Sequence, residues 1–163
     1  MRFIKSLKYA FRGIIYCINN ERNLRIHTVA ALYVFAFSFF FEMSRERYAI
    51  LLITVAMVIV AEIFNTVAEE LSDMAAPSYH PAVRIIKDLA AGGVLVCALF
   101  AVGVGMFLFW QPDRLWNILL FFGQAPWRIV LLVISLGISA VYVAFGPLGI
   151  RDRYHRAVEK RRR

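Results

Sequence analysis

Residues 89–110 read LAAGGVLVCALFAVGVGMFLFW, 22 consecutive residues without a charged side chain. About 20 apolar residues in a helix cross the hydrocarbon core of a bilayer, so this stretch predicts a transmembrane helix. Residues 129–148 are also free of charge and predict another span at about 128–148. The composition agrees, because 61% of the 163 residues are hydrophobic and only 18% are charged, which excludes an ordinary soluble domain.

Two further apolar stretches precede residues 89–110. Residues 26–41 are apolar apart from His27, Thr28 and Ser38, and they predict a span at about 26–43. The next stretch starts at Tyr48 and meets Glu62 after 14 residues. It reaches spanning length only by continuing past Glu62, and we predict a span at about 48–68, which places polar groups in or just under the membrane.

Two shorter segments predict helices at the membrane surface. In residues 2–19, apolar side chains share one helical face and cationic side chains the other, a pattern typical of an interfacial helix; a soluble amphipathic helix is the alternative. Residues 115–122 are apolar and flanked by Pro112 and Pro126, which favours an interfacial segment. The predicted fold is therefore an all-α membrane protein with an N-terminal amphipathic surface helix and four transmembrane helices.

The cationic residues are distributed unevenly between the predicted connections. Six lie before the first span, two in residues 74–88 and seven after Ile150, whereas the opposite side has only Arg45, Arg47, Arg114 and Arg128. Since cytoplasmic segments carry an excess of Lys and Arg, both termini are predicted to be cytoplasmic. The net charge of +8 on so apolar a chain favours anionic lipid headgroups, and not nucleic acid, as the partner.

A polar stripe lies at the predicted cytoplasmic end of the second span. Glu62, Asn65, Glu69 and Asp73 lie at i, i+3, i+7 and i+11, within roughly 80° of arc on a helix. An acidic residue at a bilayer centre costs ~2.5 to 3.5 kcal/mol, so the stripe opposes the stability of the span and indicates a function. Alternatively, the acids are solvated at the end of the helix or pair with Arg22, Arg25 or Lys87 to hold helices together.

The residues alone leave the chemistry of this stripe open. Carboxylates such as Glu21 and Glu69, brought together by packing, would suit Mg²⁺, and Lys87 would neutralise phosphate charge. A proton relay and ion passage are equally compatible with the stripe. The sequence has no GxxxxGK[ST] loop and no kinase-type Gly-rich loop, so any nucleotide site is of another kind.

Four passages together resemble the small bacterial integral-membrane diacylglycerol kinase and undecaprenol kinase family. They are Phe11-Arg12-Gly13, residues 20–27 (NERNLRIH), residues 62–69 (EIFNTVAE) with Asp73, and Tyr79-His80 followed by residues 87–92 (KDLAAG). The spacing between the passages is also similar to that of the family, and the resemblance covers roughly residues 2–110.

The resemblance implies a homotrimer of three-span protomers, with active sites between neighbours, that transfers the γ-phosphate of Mg-ATP to a lipid alcohol. Glu62 would be the general base, Asn65 would position groups beside it, and Glu21 with Glu69 would hold Mg²⁺. A carboxylate in an apolar setting has its ionised form disfavoured, which makes it a better base. The residues expected to contact ATP are Arg2, Tyr9, Glu21, Glu69, Ser78, Tyr79, His80, Lys87 and Asp88.

The resemblance also divides the chain. Residues 1–110 are expected to form the kinase-like membrane domain, and residues 111–163 an addition with the interfacial segment, the fourth span and a basic cytoplasmic tail. The run at 20–27 is more similar to the Gram-positive branch, which favours undecaprenol, than to the branch that uses diacylglycerol. The expected location is the bacterial inner membrane. The competing hypothesis is a non-enzymatic membrane protein that uses the stripe as an ion or proton relay.

Overall fold

The computed structural model of the protein describes residues 2–76 and 80–162, with side chains described as far as Arg151. All regular structure within these residues is helical, which confirms the predicted all-α class. The helices are α1 (Arg2–Asn20), α2 (Arg22–Ser38), α3 (Arg45–Ala75), α4 (Pro81–Phe109), α5 (Pro112–Gly123) and α6 (Pro126–Arg162).

Three of the described helices are long and apolar enough to cross a membrane: α3, α4 and α6 as far as Arg151. They contain the predicted spans at 48–68 and 128–148 and, except for Trp110, the predicted span at 89–110. Large apolar side chains are exposed along them, and Phe107 is 89% exposed. Apolar surface this extensive is rare on soluble monomers and suits contact with lipid chains. The chain is a helical membrane protein.

Helix α2 differs from the span predicted at about 26–43. It begins earlier, at Arg22, and ends at Ser38, after 17 residues, which is close to the lower limit for crossing a bilayer. The amide of Phe40 donates to the carbonyl of Phe37 (3.0 Å) and that of Phe41 to the carbonyl of Ser38 (3.1 Å). These tight i→i−3 bonds close the last turn of the helix, although the sequence is still apolar there.

The described residues group into two compact units. The first comprises the chain up to Val29 together with the chain from Ala125 onwards, and in it α1 packs against α6. The second comprises Ala30–Gln124, and α3 and α4 pack along each other within it. A connection of only five residues joins these two helices, so they form a helical hairpin.

Capping residues fix where the helices of the hairpin begin. Ser44 is the N-cap of α3, and its hydroxyl accepts from the amide of Arg47 at 3.4 Å. His80 is the N-cap of α4, and its Nδ1 accepts from the amide of Ala82 at 3.2 Å. Pro81 follows in the first turn, where its missing N–H and restricted φ favour helix initiation. The starting points set the register in which α3 and α4 face each other.

The predicted interfacial segment at 115–122 lies in α5, which an aromatic cluster joins to its neighbours in the second unit. Ring centroids of Phe40 and Phe121 are 5.1 Å apart, in an edge-to-face arrangement. Phe41 contacts Phe109 at the end of α4 in the same manner, at 4.9 Å. Such pairs each stabilise by about 0.5 to 1.5 kcal/mol beyond the area they bury, so they link α5 to the turn that follows α2 and link that turn to the end of α4.

Candidate active site

The polar stripe of α3 lies along one face of the helix and becomes more exposed towards its C-terminal end. Glu62 is 2% exposed and Asn65 is 7% exposed, Glu69 is half-buried, and the side chain of Asp73 is 69% exposed. The stripe therefore leads from a buried carboxylate within the apolar helix to a carboxylate in contact with solvent.

Glu62 is the most buried of the chain's described acidic side chains. Its neighbour on the same face, Thr66, donates its hydroxyl to the backbone carbonyl of Glu62 at 3.1 Å. This bond satisfies the threonine hydroxyl within its own helix and does not involve the carboxylate of Glu62. Burying a carboxylate costs free energy unless it is paired with other groups. Acidic residues in membrane-spanning segments commonly have a function, which makes Glu62 the strongest candidate for a functional group in α3.

Asn65 and Glu69 are joined one helical turn apart. The Nδ2 atom of Asn65 donates to Oε1 of Glu69 at 2.8 Å, which fixes the rotamer of both side chains. The Oδ1 atom of Asn65 is buried and accepts no hydrogen bond from the described residues. A buried acceptor without a donor is rare in folded proteins, so this oxygen is available to a donor from a bound molecule.

Asp73 and Lys87 form an ion pair between α3 and α4. The next residue in the sequence, Asp88, forms an exposed i,i+4 ion pair with Arg84, and its Oδ2 atom lies 3.8 Å from Nε of the arginine. Of the two interpretations of the acids, pairing with a cation therefore applies to Asp73, and most of this side chain still contacts solvent. The Lys87–Asp73 pair also brings a cation to the solvent-exposed end of the stripe.

The connection between α3 and α4 contains three predicted ATP contacts. His80 uses Nδ1 to cap α4, which leaves Nε2 directed away from the cap. Ser78 and Tyr79 lie outside the described residues, and their assignment stays a prediction.

The remaining predicted site residues belong to the first unit. Arg2 and Tyr9 are exposed on α1, and the guanidinium of Arg12 lies over the Tyr9 ring at 5.9 Å. Glu21 is the single non-helical residue between α1 and α2. Its amide donates to the carbonyl of Cys17 at 2.8 Å, and its carbonyl accepts from the amide of Arg25 at 3.4 Å. The joint metal site of Glu21 and Glu69 stays a prediction.

The carboxylates fit magnesium by their chemistry and not as a ready-made cage. The described residues contain no group of three or more His, Cys, Asp or Glu arranged to hold a metal ion. Magnesium is usually bound through one or two carboxylates together with substrate phosphates and water. Glu69, held by Asn65 through one oxygen, provides the hard donor that such a site needs.

Sequence reasoning missed the role of Arg25, which it considered only as a partner for acidic residues. Arg25 is 6% exposed and donates to backbone carbonyls, one of them 118 positions away in α6. The Gly146-Pro147 pair after Val143 indicates a break in the helix, but no local pattern indicates which side chain bonds the carbonyl left there.

Comparison with known proteins identifies the family of the chain. The family model for prokaryotic diacylglycerol kinase matches residues 8–109. A Synechocystis protein named diacylglycerol kinase is 36% identical over 108 residues, 66% of this chain and 62% of that protein. A Bacillus subtilis protein named undecaprenol kinase is 33% identical over 108 residues, 88% of its length, and an Escherichia coli diacylglycerol kinase is 27% identical over 110 residues, 90% of its length.

The chain belongs to the prokaryotic diacylglycerol kinase family. The matched residues include α3, α4 and Glu21 and end where α4 ends. Helices α5 and α6 lie outside the match. The aligned region spans slightly less than two thirds of the Synechocystis relative.

Proposed function

We propose that the protein is a lipid kinase that transfers the γ-phosphate of Mg-ATP to the hydroxyl group of a membrane lipid alcohol. The observation that carries the proposal is the burial of Glu62, which is 2% exposed, in a helix of spanning length that also carries the Asn65–Glu69 pair. Membership of the family supports the same activity. A lipid hydroxyl reaches such a carboxylate from the side of the membrane, where no aqueous pocket is required.

The chain's own residues account for the proton and for the orientation of the reactants. A carboxylate oxygen of Glu62 takes the proton of the lipid hydroxyl while the hydroxyl oxygen of the lipid attacks the γ-phosphorus. The bond between the γ-phosphorus and the bridging oxygen breaks, which yields a lipid phosphate and ADP. In this proposal Asn65, one helical turn from the base, positions groups beside it and holds Glu69 through Nδ2. General base catalysis of this kind contributes roughly 10²- to 10⁴-fold.

Binding of ATP would use the polar end of the stripe. In this proposal Glu21 and Glu69 hold the magnesium ion, which offsets phosphate charge when bound. Lys87 turns from Asp73 towards a phosphate oxygen, and Arg2, Tyr9, Asp88 and the 78–80 turn contact the nucleotide. The exposure of Asp73 supports this exchange, because an exposed ion pair contributes only about 0 to 1 kcal/mol and is easily replaced.

Undecaprenol is the substrate that we favour over diacylglycerol. The support is the likeness of residues 20–27 to the branch that uses undecaprenol, together with the B. subtilis relative named undecaprenol kinase. The relatives named diacylglycerol kinase make diacylglycerol the competing acceptor. We further propose a homotrimer with shared active sites in the bacterial inner membrane, with both termini cytoplasmic; the cation distribution supports this orientation.

The decisive experiment offers undecaprenol and diacylglycerol side by side to the purified protein in detergent micelles with γ-labelled ATP. We expect magnesium-dependent label in the undecaprenol fraction and slower labelling of diacylglycerol. Faster labelling of diacylglycerol would reverse the substrate assignment. No label in either lipid, with the protein folded and ATP bound, would contradict the kinase proposal. The competing hypothesis of an ion or proton relay would then remain.

A further inference from the structure

Arg25 connects the start of the chain to the last helix within the first unit. Its side chain is buried and donates three hydrogen bonds, all to backbone carbonyls. The Nη1 atom bonds the carbonyls of Ile18 and Asn19, each at 2.9 Å, and Nε bonds the carbonyl of Val143 in α6 at 3.1 Å. A buried guanidinium that bonds only neutral carbonyls is unusual and needs a structural reason.

Each of these carbonyls lacks a donor from its own helix. Ile18 and Asn19 lie in the last turn of α1, where carbonyls have no intrahelical partner. Val143 lies four residues before Pro147, and proline has no N–H with which to close that i→i−4 bond. Arg25 therefore supplies the missing donors at the end of one helix and at the break in another.

Gly146 makes the close approach of Arg25 possible. It has φ 63° within α6, in the left-handed region that glycine adopts without strain. A Cβ atom at this position would lie 3.0 Å from Nη1 and 3.3 Å from Cζ of Arg25. The kink at Gly146 and Pro147 thus leaves space for the guanidinium of Arg25 next to the carbonyl of Val143.

We propose that this contact makes the C-terminal helix a positioning element for the kinase site, by holding the α1–α2 junction in which Glu21 lies. Arg25 reaches both sides of the junction, since its backbone amide bonds the carbonyl of Glu21 at 3.4 Å and its side chain bonds two carbonyls in the last turn of α1. Helix α6 lies beyond the residues that match the family model, so the family pattern does not assign it this role. The inference rests on the proposed function of Glu21.

Two variants disrupt the contact in different ways, and one provides a matched control. Gly146→Ala adds a Cβ against the guanidinium and strains the backbone. Arg25→Lys keeps the charge but cannot bond the end of α1 and Val143 together in the same geometry. Gly137→Ala makes the same chemical change in the same helix, where a Cβ would meet nothing within 4 Å.

The first measurement is independent of kinase activity. Cys17 is buried in the first unit, at 6% exposure, and in a Cys97→Ser background it is the chain's only thiol. We expect maleimide to modify Cys17 roughly two- to tenfold faster in Gly146→Ala and Arg25→Lys, the range produced by loss of one ordinary hydrogen bond. The Gly137→Ala protein should match the parent. Equal rates in all four proteins would overturn the contact.

The second measurement tests positioning through the magnesium requirement for phosphorylation of undecaprenol. Gly146→Ala and Arg25→Lys should raise the magnesium concentration at half-maximal rate two- to tenfold, with a smaller change in kcat. In a Glu21→Gln background the same changes should add little, because their route of action is already lost. Faster thiol modification with an unchanged magnesium requirement would overturn the positioning role. An unaltered requirement in Glu21→Gln alone would instead contradict the proposed role of Glu21, while the thiol measurement still decides the contact.

Discussion

The side-chain amide of Asn65 holds Oε1 of Glu69 at 2.8 Å, one turn away from the buried carboxylate of Glu62 on the same helix. The bond orients the carboxylate that we propose for magnesium, and the Oδ1 atom of Asn65 is buried without a donor from the described residues. Asn65 thus lies between the proposed base and the proposed metal ligand on one face of α3, and we expect its loss to disturb the site.

Asn65→Leu should lower kcat/KM roughly 10- to 100-fold, because hydrogen bonds to charged groups contribute about 1.5 to 3 kcal/mol. Thr54→Val provides a control in the same helix, since Thr54 only returns its hydroxyl to the carbonyl of Ile50. A thermal unfolding scan separates lost orientation from lost folding. Activity within twofold of the parent would contradict the role of Asn65.

Glu62→Gln should lower turnover by roughly 10² to 10⁴ while ATP still binds, because glutamine is nearly isosteric but accepts no proton. Glu70→Gln, at an exposed position of the same helix, is the matched control and should remain near parental activity. The measurement is the initial rate of lipid phosphorylation at saturating ATP. Retention of half the activity would exclude Glu62 as the base.

Glu21→Gln and Glu69→Gln should each raise the magnesium requirement and weaken ATP binding. If both residues hold one ion, the double variant should lose much less than the sum of the two single losses, because either change disables the same site. Titration of the rate with magnesium in all four proteins measures this coupling. Full additivity would argue against shared coordination.

Asp73→Asn should leave stability nearly unchanged, since an exposed ion pair contributes about 0 to 1 kcal/mol. It should also lower the KM for ATP slightly, because Lys87 no longer has to leave the carboxylate of Asp73 before it binds a phosphate oxygen of ATP. Lys87→Gln should have the opposite effect on KM. Both effects on KM should shrink with added salt, which screens exposed charges. A marked loss of stability in Asp73→Asn would assign the pair a structural role instead.

Removal of residues 151–163, which contain seven cations, should leave activity in neutral detergent micelles nearly unchanged and reduce it in anionic bilayers. A basic segment next to a membrane gains about 1 kcal/mol per Lys or Arg at an anionic leaflet, and salt should diminish the difference. Equal activity in both settings would restrict the tail to orienting the last span. Tail residues found outside the cell would contradict the predicted topology.

The sequence alone determined the helical membrane class and the polar face of α3. Hydrophobic stretches of spanning length and an i, i+3, i+7 pattern are local properties, and helical hydrogen bonds also join near neighbours, so neither depends on the rest of the fold. The same reasoning wrongly extended the first span beyond Ser38, where α2 ends. A count of apolar residues does not detect the tight turn that three consecutive phenylalanines make there.

The tertiary structure decided which of the polar residues serve as partners. Local spacing placed Glu62 and Asp73 on one face, but only the folded structure shows that the first is buried and that the second pairs with Lys87 of α4. The contact of Arg25 with Val143 joins residues 118 positions apart. It arises from carbonyls that a helix end and a proline leave without donors, and which side chain supplies those donors depends on how the chain folds back in space.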